Sequence, residues 1–171
     1  FSTAQVAAIT STAAAQLTTT QVEALTTTQV PGLTTAQIAN MTTTQVAAIE
    51  ATDLAKFSTA QMAAITSTAA AKLTTTQIEA LASTQVGALT TAALANMTTT
   101  QVEALTTAQV PGLTTAQIAN MTTTQVAAIE ATDLAKFSTA QIAAITSTAA
   151  AKLTTTQIEA LASTQVGALT T

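Results

Sequence analysis

An all-α fold, a short-repeat α-solenoid or superhelix with one roughly six-residue helix per repeat, is what this sequence predicts. Three observations carry the prediction: an unbroken period of eight residues, a helix-start signature at the same place in most periods, and the misfit between that period and one continuous helix. Cut from Phe1, the 171 residues divide into 21 consecutive octads plus Leu169, Thr170 and Thr171, without an insertion. Position 1 is Leu, Ile, Met or Phe in all 22 occurrences. Position 6 is a large apolar residue in 18 of 21, the exceptions being Ala14, Ala70 and Ala150. Position 5 is Gln in 15 of 21, positions 2 and 3 are almost always Ser or Thr, and position 4 is only Thr or Ala.

The helix start is read from positions 1 to 6. With Thr at position 2 as N-cap, Gln at position 5 is the third helical residue, and T-x-x-Q is the capping box, in which each side chain satisfies a backbone N–H that the first helical turn leaves free. The large apolar residues at positions 1 and 6 then stand where a hydrophobic staple needs them. Leu17, Thr18, Gln21 and Val22 show the whole arrangement. Positions 3 to 8 are the expected helix and positions 1 and 2 the bend.

The helix must stop within each octad. At about 100° per residue, eight residues overshoot two full turns by about 80°, so an eight-residue apolar pattern would wind round a straight helix instead of holding one face. Pro31-Gly32 and Pro111-Gly112 fall at positions 7 and 8, where a short helix should end. Asn40, Asn96 and Asn120, also at position 8, suit a helix C-terminus because Asn tolerates the left-handed conformation. The alternative is a β-solenoid, since Thr, Val and Ile favour strands. In a strand, positions 1 and 6 would point to opposite faces, and units such as ITSTAAAK (65–72) and IEATDLAK (49–56) favour helix. One octad buries too little to offset the ordering of its own backbone, so octads must stack, with positions 1 and 6 inward and Ala at positions 7 and 8 allowing close approach.

The domain organisation is a single array, 1–171, with a longer period laid over it. Residues 17–91 return at 97–171 with three substitutions, which makes the larger unit ten octads, or 80 residues. The chain has no initiator Met and stops within an octad, so it is expected to be a fragment of a longer array.

Composition narrows the chemistry. Thr (44) and Ala (42) fill half of the chain, and Cys, His, Trp, Tyr and Arg are absent. Without Cys or His there is no disulfide framework, no usual zinc or haem ligand set, and no thiol or hydroxyl nucleophile paired with an imidazole base. Eight acids against four lysines give a net charge of −4, a poor basis for gripping nucleic acid, and no run of 18 apolar residues is present to insert into a membrane. Glu50 with Asp53, repeated as Glu130 with Asp133, are the close acid pairs. They stand at the N-cap and third helical positions, where acids complement a helix N-terminus. Lys56, Lys72, Lys136 and Lys152 all occupy position 8, the favourable end for positive charge, whereas Glu23, Glu79, Glu103 and Glu159 at position 7 are expected to be solvated. The triplets at Asn40, Asn96 and Asn120 fit the N-glycosylation pattern because Asn at position 8 precedes Met and the capping Thr. Met41, Met62, Met97, Met121, Phe1, Phe57 and Phe137 read as core residues. No catalytic, cofactor-binding or metal-ligating residue is assigned, no cofactor is expected, and the chain is not expected to be an enzyme.

LTTTQVEA (17–24) is similar at its start to the opening LTPEQV of TAL-effector DNA-binding repeats, a likeness confined to a helix start that carries no function over. The unit LTTAQIAN (33–40 and 113–120) resembles the L-T-T-A-Q-[IV]-A-A tracts of very large bacterial secreted or surface proteins, often adhesin-like, and this resemblance runs the length of the chain. It implies an extracellular or cell-surface spacer with no site residues to transfer; the ITSTAAAK and IEATDLAK units and the Pro-Gly ends depart from the pattern. The functional expectation is therefore a structural segment (stalk, filament or sheath) of a large extracellular protein, self-associating end to end or laterally through copies of itself. The alternative is a regular surface for a repetitive ligand such as polysaccharide or ice, prompted by the grid of threonines.

Overall fold

A computed structural model describes residues 1–169 of the chain. Among these residues nineteen α-helices of four to six residues and two 3-10 turns follow one another, with no strand. Every α-helix begins at position 3 of its octad and ends at position 6, 7 or 8; Thr43–Ala48 fills the whole expected span. The β-solenoid alternative is thereby set aside in favour of the short-repeat α-solenoid.

The helix starts follow the local physics. Thr74 is extended (φ −75°, ψ 158°), its Oγ1 accepts from Gln77 N at 3.1 Å, and Gln77 Oε1 accepts from Thr74 N at 2.8 Å. The same reciprocal pair recurs from Ser2–Gln5 to Thr154–Gln157. At Ala82 only half of the box survives, Ala82 N donating to Gln85 Oε1 at 2.8 Å. Thr74→Ala is accordingly expected to cost about 0.5–2 kcal/mol, and Ala82→Thr to gain a fraction of that; chemical denaturation midpoints check both.

Two expectations need correction. The Pro-Gly units do not carry an ordinary helix that stops at its end: octads 25–32 and 105–112 have only a turn and the 3-10 segments Val30–Gly32 and Val110–Gly112. Pro31 has no N–H to give to residue 27, so the α-helical hydrogen-bond pattern cannot run through it and the segment tightens to a 3-10 turn. Second, no residue among those described has a positive φ. Asn96 and Asn120 end their helices in the right-handed region, and Asn40 lies inside its helix. The Nδ2 groups of Asn40 and Asn120 donate back to Ala36 O and Ala116 O, each at 2.8 Å.

Gly32 and Gly112 are required by close approach and not by an unusual backbone angle. A Cβ on Gly112 would stand 2.6 Å from the carbonyl carbon of Ser83, and one on Gly32 would stand 2.8 Å from Thr3 Cα. A Cβ on Gly87 would in turn strike the Gly112 oxygen. The Pro-Gly octads thus lie backbone to backbone on the octads three units before them.

Stacking follows one rule. The helix Ser83–Ala88 packs on Thr59–Ala63 on one side and on Val110–Gly112 on the other, and the packed pairs throughout are three octads apart. Positions 1 and 6 line one continuous apolar core from Val6 to Leu161. Among the described residues no helix is long and apolar enough to cross a membrane.

Candidate functional site

The most organised polar feature of the molecule is a ladder of glutamines at position 5. The first helical turn fixes the Gln77 backbone, and the capping bond to Thr74 N orients the carboxamide, so that Oε1 faces its own helix start and Nε2 faces the preceding superhelical turn. Gln77 Nε2 donates to Val46 O at 3.0 Å and to Ile49 O at 2.6 Å. These acceptors stand 31 and 28 residues earlier, at the bend between the fourth and third preceding octads. One superhelical turn therefore takes between three and four octads.

The pattern is general. Gln37, Gln45, Gln61, Gln85, Gln101, Gln109, Gln117, Gln125, Gln141 and Gln157 make the same pair of bonds, and Gln165 reaches Ala135 O and Phe137 O. Each of these glutamines is buried. The position-6 carbonyl also accepts from the backbone N–H three residues on, as Val46 O does from Ile49 N. The position-1 carbonyl lies past the helix end and takes no backbone donor, so for Ile49 O the glutamine of the next turn is the partner that satisfies it. One side chain thus caps its own helix and closes the carbonyl of the turn before, which is why these buried carboxamides are tolerated in an otherwise apolar interior.

The sequence reading identified the capping half of this role and missed the bridging half. A signal was present. A capping box accepts Glu as readily as Gln, and an acid is favoured in the first turn, yet position 5 is never Glu while Glu occurs at positions 2 and 7. Only an amide supplies the N–H donors that the carbonyls require.

Asp53 and Asp133 hold position 5 in the two IEATDLAK units, with a shorter side chain that has no N–H to donate. Asp53 is 3% exposed, and among the described residues neither carboxyl takes part in a hydrogen bond. Glu50 and Glu130 occupy the N-cap position but make no side-chain cap bond, so the expected complementing of the helix start takes no hydrogen-bonded form. Burial, and then the neighbouring Glu50 or Glu130 carboxylate, push the Asp53 and Asp133 carboxyls above the usual carboxylate range. A raised folded pKa means that the folded form holds its proton longer than the unfolded form does. This part of the stability is complete below the ordinary value of 3.8 and is lost as pH rises through the raised value. Asp53→Gln with Asp133→Gln, which restores the ladder, is expected to remove that slope and to raise stability at pH 7 by about 0.5–1.5 kcal/mol per site, read from urea denaturation at a series of pH values.

The charged residues are not drawn together. The four lysines and Glu23, Glu79, Glu103 and Glu159 are exposed and distributed along the array. Among the described residues no group of three or more carboxylates is placed to hold a metal ion. Positions 2 to 4 contribute to the outer surface together with positions 7 and 8. The cap hydroxyl is tied to the backbone, and in several octads to position 4, as Thr42 Oγ1 is to Thr44 Oγ1 at 3.0 Å.

A family model for the ALTTAQ repeat matches residues 46–83, 78–115 and 126–163. The chain belongs to the ALTTAQ repeat family. All three matches begin at position 6 and end at position 3 of an octad. Each ALTTAQ match opens on a residue whose carbonyl accepts from the ladder (Val46, Ile78, Val126) and contains the glutamine that donates to it (Gln77, Gln109, Gln157). Each match is therefore long enough to contain one complete bridge between successive superhelical turns. No curated protein and no solved structure matches the chain.

Proposed function

We infer that this ALTTAQ array is a structural segment, a stalk, filament or sheath portion of a large extracellular or cell-surface protein, and not a catalyst. The observation that carries this reading is the ladder. In most octads the same side chain caps the helix and bonds it to the turn before, so added octads can extend the array without altering its section. The remaining surface is threonine and alanine with dispersed charge, which suits a soluble spacer.

Small-angle scattering tests it, using the chain and a version lengthened by one further 80-residue block. The expected result is a cross-section that stays constant and a length that grows in proportion to octad number. A longer chain that folds back to a more compact shape would overturn the stalk reading.

A second reading rests on the position-3 threonines. Thr19, Thr27, Thr59, Thr75 and Thr99 are exposed and, among the described residues, make no side-chain hydrogen bond, leaving a regular set of hydroxyl and methyl groups for a repetitive ligand such as polysaccharide or ice. Thermal hysteresis and glycan binding test this; Thr19→Val, Thr27→Val and Thr43→Val should lower either activity while leaving helix content intact.

A further inference from the structure

We propose that each IEATDLAK octad binds a calcium ion where the glutamine ladder is interrupted. In one copy Asp133 and the Leu105 carbonyl are the inner ligands, with Glu130 at the edge; in the other they are Asp53, Leu25 and Glu50. The proposal goes beyond the structural-segment reading and does not depend on it.

The place is set by the rungs on either side. Gln125 donates to Leu94 O and Met97 O, and Gln141 to Val110 O and Leu113 O, in each case 31 and 28 residues back. Asp133 holds the same position 5 in the octad between them, and its helix Ala131–Leu134 begins at position 3 like the others. The carbonyls 31 and 28 residues before it are those of Val102 and Leu105. Val102 O accepts from Leu105 N, whereas Leu105 O receives no donor among the described residues.

Three oxygen-bearing groups are therefore left over. Asp133 is 3% exposed, and among the described residues its carboxyl makes no hydrogen bond. Leu105 O is the orphan carbonyl. Glu130, exposed at the N-cap of the same helix, makes no cap bond, and its charge adds to burial in raising the Asp133 pKa. The set is acceptor-only and negative, and the lysines of the array are exposed.

Size and charge together select the ligand. An aspartate is one C–C bond shorter than a glutamine, which widens a hydrogen-bond gap to roughly 4 Å. A water molecule would span that gap but would leave the two carboxylates uncompensated. A calcium ion takes oxygens at about 2.3–2.6 Å in flexible geometry, accepts carboxylate and backbone carbonyl together, and supplies the missing positive charge. Magnesium demands a near-ideal octahedron and gives up water reluctantly, so it fits this mixed set less well. Bound calcium stands in for the absent amide and ties the turns together at a site that recurs after 80 residues, from Asp53 to Asp133.

Equilibrium dialysis of the whole chain against labelled calcium chloride, alongside urea denaturation, tests the proposal. One ion per IEATDLAK octad, two per chain, is expected at saturation. Few charged ligands imply a dissociation constant of about 10⁻⁴–10⁻³ M. The urea midpoint should rise with calcium chloride to about 10 mM and stay flat in sodium chloride of equal ionic strength. Asp53→Gln/Asp133→Gln, which restores the amide rungs, should fold, bind no calcium and show no calcium-dependent midpoint. Glu50→Gln/Glu130→Gln should bind at least about tenfold more weakly, because one ligand charge is lost at each site. A wild type that takes up no calcium at about 10 mM would overturn the proposal, as would binding that persists in the Asp-to-Gln variant. An equal response to magnesium would overturn the choice of ion. None of these outcomes touches the stalk reading, which stands or falls on how length scales with octad number.

Discussion

Gln77→Glu is expected to be among the most damaging single substitutions in the chain, although it changes one NH2 group to an oxygen and preserves the capping box. Glu still accepts from Thr74 N, so the helix start keeps its local bond. What is lost is the donor to Val46 O and Ile49 O, the second of which has no backbone donor of its own. A carboxylate would then face two buried carbonyl oxygens. Orphaning them and desolvating the charge are expected to cost about 2–5 kcal/mol at pH 7. Gln5→Glu is the matched control: among the described residues its Nε2 has no partner, so the same change there should cost almost nothing. The pH dependence gives a second check. The new carboxyl should be held above its ordinary pKa in the folded form, so part of the loss should return as pH falls and the group becomes a donor. Equal melting curves for the two variants would mean that the ladder does not hold the turns together.

Gly112→Ala is expected to lose about 1–3 kcal/mol or more, against the usual direction for a helix-forming substitution. The added methyl would stand 2.6 Å from the Ser83 carbonyl carbon and 2.9 Å from Ser83 Cβ, and relief requires shifting one backbone relative to another. Because Gly87 faces Gly112 across the same contact, Gly87→Ala should behave alike, and the double variant should be less than additive. Gly167→Ala provides the contrast. It has a right-handed backbone (φ −65°, ψ −18°), and its nearest Cβ neighbours would be at 3.5 and 3.8 Å, so alanine there should be neutral or stabilising by about 0.5–1 kcal/mol. Thermal melts of the three single variants separate close packing from backbone propensity.

The sequence alone determines what lies within a few residues of itself. The capping box at Thr74 and Gln77, the break of the helix in every octad, and the burial of positions 1 and 6 follow from spacings of three to eight residues and hold in the structure. The stacking of units was legible too, because no single octad can bury enough surface to order itself. The number of octads per turn was not legible. It depends on the angle at each bend, which the capping residues permit but do not fix, and small angular differences accumulate over three or four octads. With the turn length unknown, the acceptors of the glutamine Nε2, 28 and 31 residues away, could not be located. For the same reason Gly32 and Gly112 read as helix-end residues when their small size serves a contact between turns. Asp53 and Asp133 read as helix-start acids when burial makes each a missing rung. The tertiary structure decided each of these, because hydrogen-bond satisfaction and steric contact between turns are set by the pitch of the superhelix.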